Sequence, residues 1–356
     1  MIRFWLIAML VVLASCSNNG DPDSIEVEDQ DVAVVQGVPT VLADQLEVPW
    51  SIQKAGDVFY ISERPGSIMK IAYGEQVRQK VNLEKPLSGE AEAGLLGFVL
   101  HPQFSENQQA FAYYTYDVQG SPFNRVVVLE QQGTVWNEVS VLLDQIPSGP
   151  VHHGGRLKIG PDEKLYFSAG DAAVAENAQS LNSLNGKILR MNLDGSIPKD
   201  NPFPNSYIYS YGHRNPQGLA WDEKGTLYES EHGQSAHDEI NQIVAGANYG
   251  WPIIEGKQRR HGMVTPAFQT GEETWAPSGI AYHDGKLYVA TLRGEALQEV
   301  DLKTMKSRTV VTGLGRIRDV LIEGEYLYFV SNNTDGRGNP AEDDDKLYQI
   351  RLSEIE

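Results

Sequence analysis

The chain has 356 residues, 41% of them hydrophobic and 22% charged, proportions that exclude a disordered, collagen-like or wholly membrane-embedded protein. Against 29 Lys plus Arg stand 48 Asp plus Glu, a formal net charge of -19, which repels polyphosphate, argues against nucleic acid as a partner and suits bound cations. A single cysteine rules out an intramolecular disulfide, so burial must hold the fold.

Residues 1–16 carry one Arg at position 3, an apolar run from Phe4 to Ala14 and small residues before Cys16, the layout of an export signal. The run is too short to span a bilayer comfortably. Leu13-Ala14-Ser15-Cys16 resembles the bacterial lipobox, in which cleavage leaves the cysteine as an acylated first residue. An ordinary signal peptide with an incidental Cys is the alternative. Residues 17–31 are polar and acidic and read as a flexible tether, leaving 32–356 as the folded domain. The expectation is an exported, periplasmic protein that touches the membrane only through a lipid on Cys16.

From there a strand-like core recurs: DVFYIS at 57–62, FAYYTY at 111–116, KLYFSAGD at 164–171, TLYESEHG at 226–233, KLYVATLRG at 286–294 and YLYFVSNN at 326–333. Their tyrosines align as Tyr60, Tyr113, Tyr166, Tyr228, Tyr288 and Tyr328. An alternating apolar segment precedes each core, as in WSIQKAG and GLAWDEKG, and another follows it, as in SIMKIAYG and KILRMNLDG, with Gly, Pro or Asp at the turns. Six such units with few long amphipathic helices predict an all-β, six-bladed β-propeller. The pattern alone leaves seven or eight blades open.

Polar clusters stand at a nearly constant offset before each unit: Pro49-Trp50, Glu92-Ala93-Gly94, His152 to Arg156, Arg214-Asn215, Trp275-Ala276-Pro277 and Arg316 to Arg318. Equivalent loops of a propeller open on one face, so these residues should converge, together with Asp171, Arg293 and Glu231-His232-Gly233 at the far ends of the second strands. Singly, each has a plainer reading. His-His-Gly-Gly can be a turn, an arginine beside Gly can cap a loop, and His232 and His237 lack the spacing of a zinc site. The shared register is what independent turns would not produce.

GPVHHGGRLKIGPDEKLYFSAGD (149–171), NGKILRMNLDGSIPKDNPF (185–203), SYGHRNPQGLAWD (210–222) and SEHGQSAHDEINQIVAGANYGWP (230–252) resemble the soluble aldose sugar dehydrogenases that depend on pyrroloquinoline quinone (PQQ), the glucose/sorbosone dehydrogenase family. EAGLLGFVLHPQF (92–104) and GRIRDV (315–320) extend the resemblance over roughly 40–352. It implies a six-bladed propeller and a role for each matching residue. His152 would be the base that takes the anomeric hydroxyl proton, and Asp171 would support it. Arg214 and Asn215 would contact the quinone oxygens and carboxylates. Glu92, Arg293, Arg316 and Arg318 would complete the cofactor site, the last two gripping carboxylates. The carbonyls of Gly233 and Gln234 would hold a calcium ion that bridges to PQQ, and Glu239 with the Tyr249 carbonyl a second, structural one.

Against this pattern, a carboxylate at Glu92 beside a tricarboxylate cofactor would be repulsive unless calcium or a proton intervenes. Arg293 stands where the glucose enzymes carry Lys. The segment before WAPSG is shorter than theirs, so glucose specificity does not transfer. The resulting expectation is PQQ- and Ca2+-dependent oxidation of an aldose to its lactone by a monomer that passes electrons to an external acceptor: a quinone, a cytochrome or a dye. A calcium-dependent propeller lactonase and a carbohydrate- or protein-binding propeller are the alternatives.

Overall fold

Period-two alternation makes each recurring core a strand with one face on each neighbouring sheet, and a computed structural model, which describes residues 37–355, carries all six. The export signal, the tether and Cys16 lie outside the described residues. The core strands are Val58–Glu63, Gln109–Val118, Leu165–Ala169, Leu227–Glu231, Lys286–Thr291 and Tyr326–Ser331. All six aligned tyrosines lie within them and are buried. Helix is confined, among the described residues, to one short turn, Phe104–Asn107, and two 3-10 turns.

Each core strand pairs antiparallel with the strand before it and the strand after it. The preceding strands are Pro49–Ala55, Leu95–Leu100, Leu157–Ile159, Pro216–Trp221, Pro277–His283 and Ile317–Glu323. Each of these packs against the next, and Ile317–Glu323 packs back on Pro49–Ala55, so the contacts close a ring. Four sheets have four strands and one has eight. The eight-stranded sheet is two antiparallel groups, joined where Glu75–Asn82 runs parallel to Val135–Pro147 at residues 80–82 and 135–137. In the last sheet the outermost strand, Thr40–Ala43, comes from the start of the described chain and pairs with Leu347–Arg351.

The core sits between neighbouring sheets. Phe59, Ile61, Met69 and Ile71 of the first group pack with Tyr328, Val330 and Leu347 of the last, and Tyr113 packs with Leu165, Phe167 and Leu189 of the group that follows it. Each large apolar side chain buried there is worth roughly 1.5–3 kcal/mol. The consequence for function is positional: the loops entering the inner strands and leaving the core strands meet at one end of the ring.

Candidate active site

His152 lies in the loop before Leu157–Ile159 and Asp171 just after Leu165–Ala169. Antiparallel pairing of those two strands brings the residues together, and His152 Nδ1 lies 2.8 Å from Asp171 Oδ1. The other carboxylate oxygen accepts the Trp251 indole N–H at 2.9 Å, and the Ala173 N–H donates to Oδ1. An ionised carboxylate is an acceptor only, so the His152 proton sits on Nδ1 and leaves Nε2 as a free acceptor. The Asp171 side chain is buried while the imidazole keeps partial access to solvent.

The neighbouring histidine is different. His153 is buried, with one ring nitrogen 2.7 Å from Ser148 Oγ and the other 2.9 Å from the Ala91 carbonyl. The two side chains diverge, as expected for a single catalytic position, yet the segment is not extended. His152 is left-handed at φ 63, followed by Gly154 and Gly155 at φ 65 and 94. A Cβ at Gly154 would lie 2.7 Å from the Gly170 nitrogen, so only glycine lets this loop lie on the Asp171 strand. Glu92, Ala172 and Ala173 are left-handed as well. Non-glycine residues held this way tend to mark functional sites.

Around this pair the cationic residues assemble. Arg214 reaches the His232 carbonyl at 3.3 Å and lies over the Trp251 ring at 5.4 Å. The Asn215 side-chain oxygen accepts the Gly154 N–H at 3.1 Å. Arg316 is gripped by Asp335 at 2.8 Å and by the Leu292 carbonyl, and Arg318 donates to Gln217 at 2.8 Å. Burial pulls the Arg318 guanidinium down and the Asp335 carboxylate opposes this; it stays charged at neutral pH. A small cavity opens among Trp50, Arg64, Glu92, Gln217, His232, Arg318, Asp335 and Arg337. Arg293 is exposed and lines a wider opening with Arg316 and Arg337.

Two buried donors in this region, Arg318 Nε and Arg214 Nε, have no acceptor among the described residues, and His232 Nε2 has no partner there either. Leaving a buried donor unpaired costs about 1–3 kcal/mol. Such groups fit a ligand that brings acceptor oxygens. Burial brings the His232 imidazole down to about 4, so it is neutral at pH 7.

Two donors hold Glu92 as a carboxylate. Burial alone would push its carboxyl up, but Arg337 donates to Oε1 at 2.7 Å and the His152 backbone N–H to Oε2 at 3.2 Å. These bring it to about 2. The guanidinium comes from far along the chain.

A second cavity is lined by Arg214, Glu231, His232, Gly233, Glu239, Tyr249, Trp251 and Glu255. Three of the four residues expected to bind calcium, Gly233, Glu239 and Tyr249, line it; Gln234 is exposed beside them. Burial and then the Glu231 charge push Glu239 up to about 8. Glu255 and the nearby Glu229 each keep a buried oxygen with no donor among the described residues. Crowded carboxylates short of donors fit an oxygen-ligated cation. Behind them, His213 stacks on Tyr249 and lies 3.0 Å from Glu231, which in turn accepts the Arg214 backbone N–H at 2.5 Å.

Sequence reading missed Arg64, Gln217, Trp251, Asp335 and Arg337 as site residues. Trp251 could have been found, since it stands inside the segment 230–252 that carries the family resemblance. Asp335 and Arg337 lie four and six residues past the end of the last core strand, whereas Asp171 and Arg293 each lie two past theirs, so the shared register did not announce them.

The family model for glucose/sorbosone dehydrogenase matches residues 46–341. The chain is 37% identical over 239 residues to quinoprotein glucose dehydrogenase B of Acinetobacter calcoaceticus, an alignment covering 58% of this chain but only 48% of that relative, about half its length. It is 29% identical over 343 residues to the aldose sugar dehydrogenase YliI of Escherichia coli K12, covering 83% and 90% of the two chains. The structure of the PQQ-bound form of an aldose sugar dehydrogenase from Streptomyces coelicolor superposes with a TM-score of 0.82 at 36% identity, over 88% of this chain and 96% of that one.

Proposed function

Since the chain belongs to the glucose/sorbosone dehydrogenase family, we propose that it is a PQQ- and calcium-dependent dehydrogenase oxidising an aldose at the anomeric carbon to the lactone and passing the electrons to an external acceptor. We read its sheets as a six-bladed propeller, on the closed ring of inner strands. The likeness to a PQQ-bound aldose sugar dehydrogenase supports the cofactor. The lipobox-like Leu13 to Cys16 supports an exported, lipid-anchored chain.

The observation that carries the reading is the His152–Asp171 pair beside buried donors that lack acceptors. Arg214, Arg316, Arg318 and Asn215 would hold the carboxylates and quinone oxygens of PQQ, and Gly233, Gln234, Glu239 and Tyr249 would hold calcium. When bound, the cofactor supplies the two-electron oxidant that takes hydride from the anomeric carbon, and calcium polarises it. The protein's own part is acid–base and electrostatic. His152 Nε2, left as an acceptor by the Nδ1 bond to Asp171, takes the anomeric hydroxyl proton. Asp171, fixed by Trp251 and the Ala173 N–H, stabilises the imidazolium that forms. Arg214 is a fixed cation where negative charge develops, and it costs no reorganisation because Trp251 and the His232 carbonyl already position it.

The test is reconstitution: purified protein with PQQ and calcium should acquire a cofactor absorption spectrum and reduce a dye only when an aldose is added. Lactone hydrolysis without PQQ would instead favour the hydrolase.

A further inference from the structure

Glu92 and Arg337 are bonded at 2.7 Å although they come from opposite parts of the chain. Glu92 stands before Leu95–Leu100 and Arg337 after Tyr326–Ser331, so the pair ties two loops together across the cavity mouth. Arg337 lines both the inner cavity and the wider opening that holds Arg293 and Arg316. The second carboxylate of the inner cavity, Asp335, is bound by Arg316 at 2.8 Å and lies 3.8 Å from Arg318. Each acidic group facing this space thus has a guanidinium partner, and Arg64 adds a further cation to the wall. Among the described residues, the one other hydrogen bond to the Glu92 carboxylate comes from the His152 N–H.

We propose that Arg337 is a binding residue of this site, the counter-ion that lets Glu92 stand as a carboxylate in a cavity built for a polycarboxylate. The inference rests on the PQQ reading above and adds a residue to it. An uncompensated carboxylate facing a tricarboxylate would repel it even at an effective dielectric constant of about 20. A guanidinium bonded to that carboxylate cancels most of this. The role is one of pairing: Arg337 matters because Glu92 is charged. The prediction is a specific non-additivity.

The experiment is a titration of the metal-replete apoprotein with PQQ, followed by quenching of tryptophan fluorescence, since Trp50 and Trp251 line the two cavities. Arg337→Ala should weaken PQQ binding tenfold or more, Glu92→Gln should bind at least as well as the parent, and the double variant should fall within about threefold of Glu92→Gln. Arg337→Lys, which keeps the charge, should recover most of the loss. Arg337 is about half exposed, so the variants should fold, and unchanged melting curves check that. Parental binding by Arg337→Ala overturns the inference. So does an equal loss on removing Arg337 in the Glu92→Gln background, which would make it a contact independent of Glu92. If the parent itself fails to bind PQQ, the cofactor reading falls and the inference falls with it.

Discussion

Trp251 donates its indole N–H to the Asp171 oxygen that His152 does not use, at 2.9 Å. The carboxylate is therefore held from both ends, and the imidazole's orientation depends on an indole that comes from the loop after the strand Glu239–Ile243. Trp251→Phe keeps a ring beside Arg214 and removes only the donor. It should lower kcat about tenfold, and Asp171→Asn about a hundredfold, the usual range for groups that orient a functional side chain. Steady-state kinetics of the reconstituted variants, with the pH dependence of kcat, check this; parental kcat in both would remove the orienting role.

His152→Ala should slow cofactor reduction by about 10²–10⁴-fold, the ordinary contribution of a general base. PQQ affinity should change little. His153→Ala deletes a buried ring bonded at both nitrogens, so it should cost about 1–3 kcal/mol of stability while the folded fraction keeps its rate. Stopped-flow reduction by an aldose separates the two. A crippled His153 variant beside an active His152 variant would move the base by one residue.

Chelation should lower both the melting temperature and PQQ affinity, because an ion bound only by the folded state stabilises it by mass action. Glu239→Ala should reduce the stabilisation by calcium. Identical melting curves for metal-free and calcium-loaded protein would count against both ion sites.

The Glu92 carboxyl sits at about 2, below its ordinary value near 4.3. A depressed carboxyl contributes stability that is present above about pH 4.3 and lost as pH falls toward 2. Arg337→Ala raises the folded-state value and should flatten this acid limb. Urea midpoints of parent and variant across that range test it, and parallel limbs would show that the ion pair does not set the carboxyl.

Cys16→Ser should leave the protein unprocessed or soluble when it is expressed in a Gram-negative host, whereas the parent should fractionate with membranes. Equal solubility with correct cleavage of both would remove the anchor.

The inner three strands of every sheet were legible in the sequence because each alternates over a face buried by a neighbour. Val58–Glu63 and Leu165–Ala169 are buried almost throughout. The fourth strands were not. Glu75–Asn82 shows four exposed residues in succession, Phe268–Gln269 is two residues long, and Thr40–Ala43 belongs to a sheet at the other end of the chain, so no periodicity announces them. In the site, side chains that the ring's register predicts were found: His152, Asp171, Arg214, Arg316 and Arg318. Those recruited by long-range pairing were not. Nothing in GRGNP says that Arg337 will answer the charge of Glu92.

The pairing of Thr40–Ala43 with Leu347–Arg351 also sets a timetable. During synthesis the middle sheets can form as their strands emerge, but the last one lacks its outer strand's partner until nearly the whole chain exists. Until then Thr40–Ala43 has no partner at all, an open template for the wrong chain. Such long-range closure is slow. A lesion in Thr40–Ala43 should therefore show itself first as poor yield at high expression temperature, in a protein whose purified fraction still turns over normally.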